Sequence, residues 1–271
     1  MGHLANILCT RPLDTALIQL AADNNIAIDV IPFIVTEPVR DKRQAGQIQS
    51  LAMHQQVAIF TSVNAVEAVA GLLQQQVRKK RRGTMWSGPD PSGQLTGASG
   101  QLTGPSGEPL PWKIFCISGA TRQRVQELFG EDTIVGTAPS AGKLADVILE
   151  PGHRHYKGSY FFYCGDLRRR ELHDRLYKEA AIYLNEYVVY RTIEMPHKIE
   201  TPYDGIAFFS PSAVESFFSL NAVPAVTTLF AIGHTTADAI RTHGPNPVIV
   251  SPSPEQATLV RKIIEHFQKN I

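Results

Sequence analysis

Two octets decide the fold: Phe60-Thr61-Ser62-Val63-Asn64-Ala65-Val66-Glu67 and Phe208-Phe209-Ser210-Pro211-Ser212-Ala213-Val214-Glu215. Each closes an apolar, β-forming run and opens a helical pattern through a short polar loop. The same unit recurs along the chain. Ile7-Leu8-Cys9 passes through Thr10-Arg11-Pro12 to an amphipathic stretch, Leu13 to Asn24. Ile114 to Ile117 passes through Ser118-Gly119-Ala120-Thr121 to a helix ending near Gly130. Tyr160 to Tyr163 leads through Cys164-Gly165-Asp166, and Leu229 to Ile232 leads through Gly233-His234-Thr235-Thr236. Strands alternating with helices in this way predict parallel sheets of the α/β class.

The two octets are also copies of one another, and other segments match in a compatible order. Ile7 to Thr36 aligns without a gap on Phe162 to Arg191, so that Cys9 falls on Cys164 and Ile34 on Val189. Ser118-Gly119-Ala120-Thr121 falls on Gly233-His234-Thr235-Thr236, and Pro139-Ser140 on Pro252-Ser253. Single matches between apolar strands carry little weight, but their shared order predicts a duplicated α/β unit.

One copy holds about thirty extra residues between the helix from Ala65 to Gln75 and the Ile114 strand, the size of an inserted loop. That insert, 79–111, begins within Arg78-Lys79-Lys80-Arg81-Arg82 and continues as a Gly/Ser/Pro-rich tract in which Ser-Gly-Gln-Leu-Thr-Gly recurs. Low complexity of this kind predicts a flexible surface loop whose removal, from Lys79 to Leu110, spares the fold.

Composition narrows the function. Among 271 residues, 26 basic and 25 acidic side chains give a net charge of +1, which excludes holding nucleic acid by bulk charge. An apolar fraction of 43% suits a packed globular chain. Cys9, Cys116 and Cys164 are too few and too scattered for a disulfide scaffold, so a reduced, cytoplasmic setting is expected. The N-terminal residues carry no targeting pattern. The uncharged stretch Ser216 to Ala237 contains Pro224, Gly233 and four threonines, so no membrane span is expected.

The recurring loops suggest where chemistry sits. A helix N-terminus offers unpaired N–H groups and the positive end of its dipole, which suits carboxylates or phosphates. In parallel α/β sheets such loops gather at the carboxyl ends of the strands, where ligands bind. Two lobes would set two such rims across a cleft, a site for a multiply anionic ligand. Each loop Ser or Thr also reads simply as an N-cap. His153 and His155 have a spacing used by metals, but no third ligand stands nearby and a surface turn is the expectation. Arg168-Arg169-Arg170 reads equally as an anion contact or a solvated face. No phosphate-binding P-loop, dinucleotide fingerprint or nucleophile elbow occurs.

The octets, together with Ala231-Ile232-Gly233-His234-Thr235-Thr236-Ala237, Tyr163-Cys164-Gly165-Asp166-Leu167-Arg168, Val188-Val189-Tyr190-Arg191-Thr192 and Ser251-Pro252-Ser253-Pro254, resemble the uroporphyrinogen-III synthase family. The resemblance spans nearly the whole chain outside the insert. It implies two similar α/β lobes with parallel sheets flanked by helices, joined by a two-stranded extended linker. One lobe would comprise 1–34 and 192–271 and the other 38–187, with linker strands at 32–38 and 186–195. It implies a hydro-lyase of heme biosynthesis that closes linear hydroxymethylbilane with loss of water and inversion of the last pyrrole, giving uroporphyrinogen III. No cofactor and no metal are implied, and neither a nucleic-acid nor a membrane partner.

A monomer is expected, with the substrate handed over by the preceding enzyme of the pathway. By the same resemblance Tyr190 matches the tyrosine proposed to assist departure of the hydroxyl. From its position alone, Tyr190 reads equally as a cross-strand packing residue. The substrate-binding positions implied are Arg11, Ser62, Asn64, Ser118, Thr121, Cys164, Gly165, Ser210, Ser212, His234, Thr235 and Thr236. Two residues depart from the family's usual pattern, His234 in place of proline and Gly119 in place of asparagine. The competing class is a non-enzymatic two-lobed binding protein for a small, multiply anionic ligand.

Overall fold

Strand and helix alternate from end to end of the computed structural model, which describes residues 5–83, 101–103, 108–153 and 159–269. The chain opens with β1 (Ala5–Cys9), α1 (Thr15–Ala22), β2 (Ile26–Val30) and β3 (Ile34–Pro38). It continues through α2 (Lys42–Leu51), β4 (Gln56–Phe60), α3 (Val63–Gly83), β5 (Trp112–Ile117) and α4 (Ala120–Phe129). After a short 3-10 turn (Glu131–Thr133) come β6 (Ile134–Ala138), α5 (Ala141–Leu149), β7 (Tyr160–Gly165), α6 (Glu171–Ala180) and the long β8 (Leu184–Glu194). The last elements are β9 (Gly205–Phe208), α7 (Pro211–Phe218), β10 (Thr228–Ala231), α8 (His234–Arg241), β11 (Val248–Val250) and α9 (Gln256–Gln268).

These elements form two compact units. One comprises Met1–Val35 and Thr192–Ile271, the other Thr36–Arg191. The first holds a five-stranded sheet in the order β11-β10-β9-β1-β2, parallel throughout. The other sheet is six-stranded, in the order β3-β8-β7-β4-β5-β6, with every pair from β8 to β6 parallel. Strand β7 corresponds to β1, β8 to β2, and β4, β5 and β6 to β9, β10 and β11. The two orders therefore coincide, and the duplication read from the sequence is a duplication of topology. In each sheet the connections diverge between two central strands, β1 and β9 in one and β7 and β4 in the other. Open α/β sheets bind ligands at that switch point, beyond the carboxyl ends of the strands.

Strand period sorts the side chains into two cores per unit. In the second unit Ala58, Phe60, Ile114, Cys116, Phe161 and Tyr163 meet α2, α3 and α4. Their neighbours Val57, Ile59, Phe115, Phe162 and Cys164 meet α5 and α6. In the first unit Ile7, Cys9, Ala207 and Phe230 face α9, while Leu8, Ile206, Phe208 and Leu229 face α7 and α8. Both faces of a parallel sheet must be covered, so the central strands read as continuous apolar runs.

Two segments depart from the sequence reading. Helix α2 leaves little trace in the apolar pattern, because only Ile48 of its ten residues is buried. Its start is fixed instead by Asp41, whose carboxylate accepts from the Arg43 and Gln44 N–H groups at 2.8 and 3.1 Å. The expectation of a loop across the whole insert is also corrected at its ends. Helix α3 continues to Gly83, past the expected end at Gln75. Beyond it Leu102 and Leu110 are buried in the core that holds Trp112 and Phe129. The Leu102 N–H donates to the Leu128 carbonyl at 2.7 Å. The repeated Ser/Gly tract itself falls largely outside the described residues.

Candidate active site

At the switch point of the second unit the polypeptide brings Ser62, Gly165 and Tyr190 together from three different strands. Ser62 follows β4 and caps α3, accepting from the Ala65 N–H at 3.2 Å. Gly165 ends β7 and is paired with Tyr190 of β8. The ring of Tyr190 lies over Gly165, so that an added β-carbon there would stand 2.5 Å from Cζ and 2.8 Å from the phenol oxygen.

Tyr190 reaches this position through a β-bulge. Pairing runs regularly to Cys164 with Val188, then skips Val189 and resumes at Gly165 with Tyr190. Leu184 and Val188 pack on the α5/α6 side of the sheet, so strict alternation would send Tyr190 there too. The extra residue reverses this. Val189, Tyr187 and Tyr190 all pack on the α2/α3/α4 side. Re-aiming a side chain is a recurrent use of bulges beside functional sites. The bulge is anchored, since the Val189 carbonyl accepts from the Val39 N–H at 2.9 Å and the Tyr190 carbonyl from Asp166 at 3.2 Å.

Tyr190 is half-buried, and that burial raises its phenol above the ordinary range, opposed by hydrogen bonding from Ser62. The group therefore keeps its proton at neutral pH and can donate it.

The first unit is equipped differently at the equivalent point. Thr10 occupies the place of Gly165, is fully buried, and donates its hydroxyl proton to the Ala207 carbonyl at 3.0 Å. Next to it stands Arg11, exposed as a residue, whose partly buried guanidinium lies 5.7 Å from the centre of the Phe209 ring. An arginine resting on an aromatic face presents its N–H groups in a fixed plane, which suits a carboxylate. Phe209 escaped the sequence reading as a site residue. Its position one residue before the Ser210 cap, just after the apolar run Gly205 to Phe208, was the available signal.

The remaining expected residues divide by exposure. Asn64 and Ser212 are half-buried in the first turns of α3 and α7, and Ser210 caps α7 by accepting from the Ala213 N–H at 3.2 Å. Ser118 is exposed and donates its N–H to the Ala138 carbonyl at 2.8 Å. His234 and Thr235 are exposed at the start of α8, after Gly233. Gly119 takes φ +76° and ψ −140°, a conformation only glycine adopts readily. That explains glycine at this departure from the family pattern.

Thr121 and Thr236 occupy matching places in the two copies, and both are buried. Cys164 is buried as well, its thiol directed to the Tyr187 carbonyl at 3.6 Å. Burial pushes that thiol up to about 12, leaving it neutral.

Other candidate groups are committed elsewhere. Arg168 is paired with Glu186 of β8, with Nε 2.7 Å from the carboxylate, so its charge is matched within the protein. His153 donates from Nδ1 to the Val147 carbonyl at 2.7 Å and rests edge-on against Phe115. His155 lies outside the described residues. Among the described residues no three His, Cys, Asp or Glu side chains gather as a metal site, and no helix is long and apolar enough to cross a membrane.

Comparison with known proteins places the chain in a family. The family profile described as Uroporphyrinogen-III synthase HemD matches residues 16–261. A crystal structure of a mutant uroporphyrinogen III synthase from the extremely thermophilic bacterium Thermus thermophilus superimposes with a TM-score of 0.58 at 15% identity, covering 98% of this chain and 100% of that one. The uroporphyrinogen-III synthetase structure from Helicobacter pylori gives 0.56 at 14% identity, again over 98% of this chain and 100% of the other. These likenesses show a shared fold. No curated protein sequence matches.

Proposed function

The chain belongs to the uroporphyrinogen-III synthase family of lyases, and from that premise we propose that its substrate is hydroxymethylbilane and that Tyr190 serves as its proton donor. The supporting observation is the protonated Tyr190 phenol held over Gly165 at the switch point of one sheet. In this reading the phenol gives its proton to the terminal hydroxyl as the C–O bond breaks, and water leaves. The electron-rich pyrrole takes up the positive charge. Closure through the inverted last ring then releases a proton from a ring carbon, which restores the phenol.

The protein's larger task is to hold the chain ends so that the inverted carbon attacks, which is a matter of geometry and entropy. Arg11 and the exposed loop groups Ser118, His234 and Thr235 take carboxylates, with Asn64, Ser210 and Ser212 beside them. Ser62 attends the phenol. Family membership favours this enzyme over a non-catalytic binding protein. We place the protein in the cytoplasm as a monomer that receives its substrate from the enzyme that makes it; three neutral, buried thiols suit a reducing compartment.

The test supplies hydroxymethylbilane and separates the product isomers. Type III product formed faster than the spontaneous reaction supports the reading, and type I product alone at the spontaneous rate overturns it. Tyr190→Phe should lower kcat more than it raises KM, by ~10²-fold or less, because this hydroxyl departs easily. Full activity in Tyr190→Phe would return Tyr190 to packing alone.

A further inference from the structure

The geometry points to Gly165 as a positioning residue, which acts by leaving room for the Tyr190 ring and not by touching substrate. This rests on the reading of Tyr190 as proton donor, and it changes the role expected for Gly165.

Three observations carry it. First, the gap between strands is filled by the tyrosine itself: a β-carbon on Gly165 would lie 2.5 Å from Cζ, 2.7 Å from Cε2 and 2.8 Å from the phenol oxygen. Contacts under about 3 Å between carbons are repulsive, so any larger residue must push the ring away. Second, the bulge at Val189 and the missing side chain at Gly165 are complementary devices. The bulge turns Tyr190 onto the α2/α3/α4 side, and the glycine leaves the space that its ring occupies beside β7. Either one alone would leave the phenol elsewhere.

Third, the chain contains its own contrast. In the duplicated unit the position of Gly165 is held by Thr10, and β2 pairs with β1 in unbroken register from Ile26 to Val30. There the side chain at the strand end is present, and Thr10 donates its hydroxyl proton to the Ala207 carbonyl. Glycine accompanies the bulge and the tyrosine, and the unbulged copy carries a side chain at that place. A glycine in the interior of a sheet weakens the strand, and close approach of another group is a usual reason for keeping it.

The experiment compares Gly165→Ala, Tyr190→Phe and the doubly substituted protein in the isomer assay, with the folding of each followed by urea denaturation. A displaced phenol should lower kcat in Gly165→Ala by ~10–100-fold, at or below the lower end of general-acid assistance, with KM nearly unchanged. In the Tyr190→Phe background the alanine should add little, because the lost function is the same one. The ultraviolet titration of the folded protein supplies a second readout. In Gly165→Ala one tyrosine should ionise at lower pH than in the parent, as the ring swings into water.

Full kcat in Gly165→Ala alongside an impaired Tyr190→Phe would overturn the positioning role while leaving the proton donor intact. Full activity in Tyr190→Phe would instead overturn the reading beneath it. Should Gly165→Ala fail to fold, pairing it with Tyr190→Val decides the matter. Recovered folding supports the clash between the two side chains, and continued failure overturns it.

Discussion

The phenol oxygen of Tyr190 stands 2.8 Å from the place that a β-carbon on Gly165 would occupy. The two residues are register partners on β8 and β7, immediately after a bulge. One strand supplies the ring and its neighbour supplies the space. Ser62, capping α3 from the next strand along, completes the arrangement.

Arg11 and Phe209 should govern affinity more than turnover. Removing the guanidinium in Arg11→Ala loses charge-assisted hydrogen bonds worth about 1.5–3 kcal/mol. KM should therefore rise by ~10–100-fold with a smaller change in kcat. Phe209→Leu retains apolar bulk but removes the face beneath the arginine, and a rise of only a few-fold is expected from ~0.5–1 kcal/mol of cation–π attraction. Steady-state kinetics on hydroxymethylbilane checks both, and unchanged KM in Arg11→Ala would remove Arg11 from the binding surface.

Leu102 should behave as a core residue despite its place in a low-complexity tract. It is 5% exposed and packs in the cluster of Trp112 and Phe129. Leu102→Ala should therefore cost about 2–4 kcal/mol of stability. Urea denaturation measures this directly. A loss below ~0.5 kcal/mol, the size of a surface substitution, would show that the segment contributes nothing to the core.

Stability should fall steeply in alkali. Burial pushes Cys9, Cys116 and Cys164 from 9.0 up to about 12. Below pH 9 the thiols are protonated in both folded and unfolded chains, and they add no pH dependence. Above it the unfolded chain loses protons that the folded chain keeps, so unfolding becomes easier as pH rises toward 12. Each thiol contributes a slope of up to ~1.4 kcal/mol per pH unit. Denaturation midpoints from pH 8 to 11 should show the decline, and Cys9→Ala should flatten it. A slope identical in Cys9→Ala and the parent would remove that thiol as a cause.

The sequence by itself determined the alternation of strand and helix, the duplication, and the loops that cap α3 and α7 through Ser62 and Ser210. Those features are local. Apolar period, loop composition and capping residues act over a few neighbouring positions and leave their mark in order along the chain. Tertiary structure alone decided which side of the sheet Tyr190 takes, because the bulge exists only in the pairing of β8 with β7. It also decided that Arg11 rests on Phe209, 198 residues away, and that Leu102 joins a core its surrounding composition does not suggest. Thr121 and Thr236 were legible as loop residues, yet their burial was not. A side chain's exposure depends on everything packed against it, and that information is spread across elements that meet only when the chain has folded.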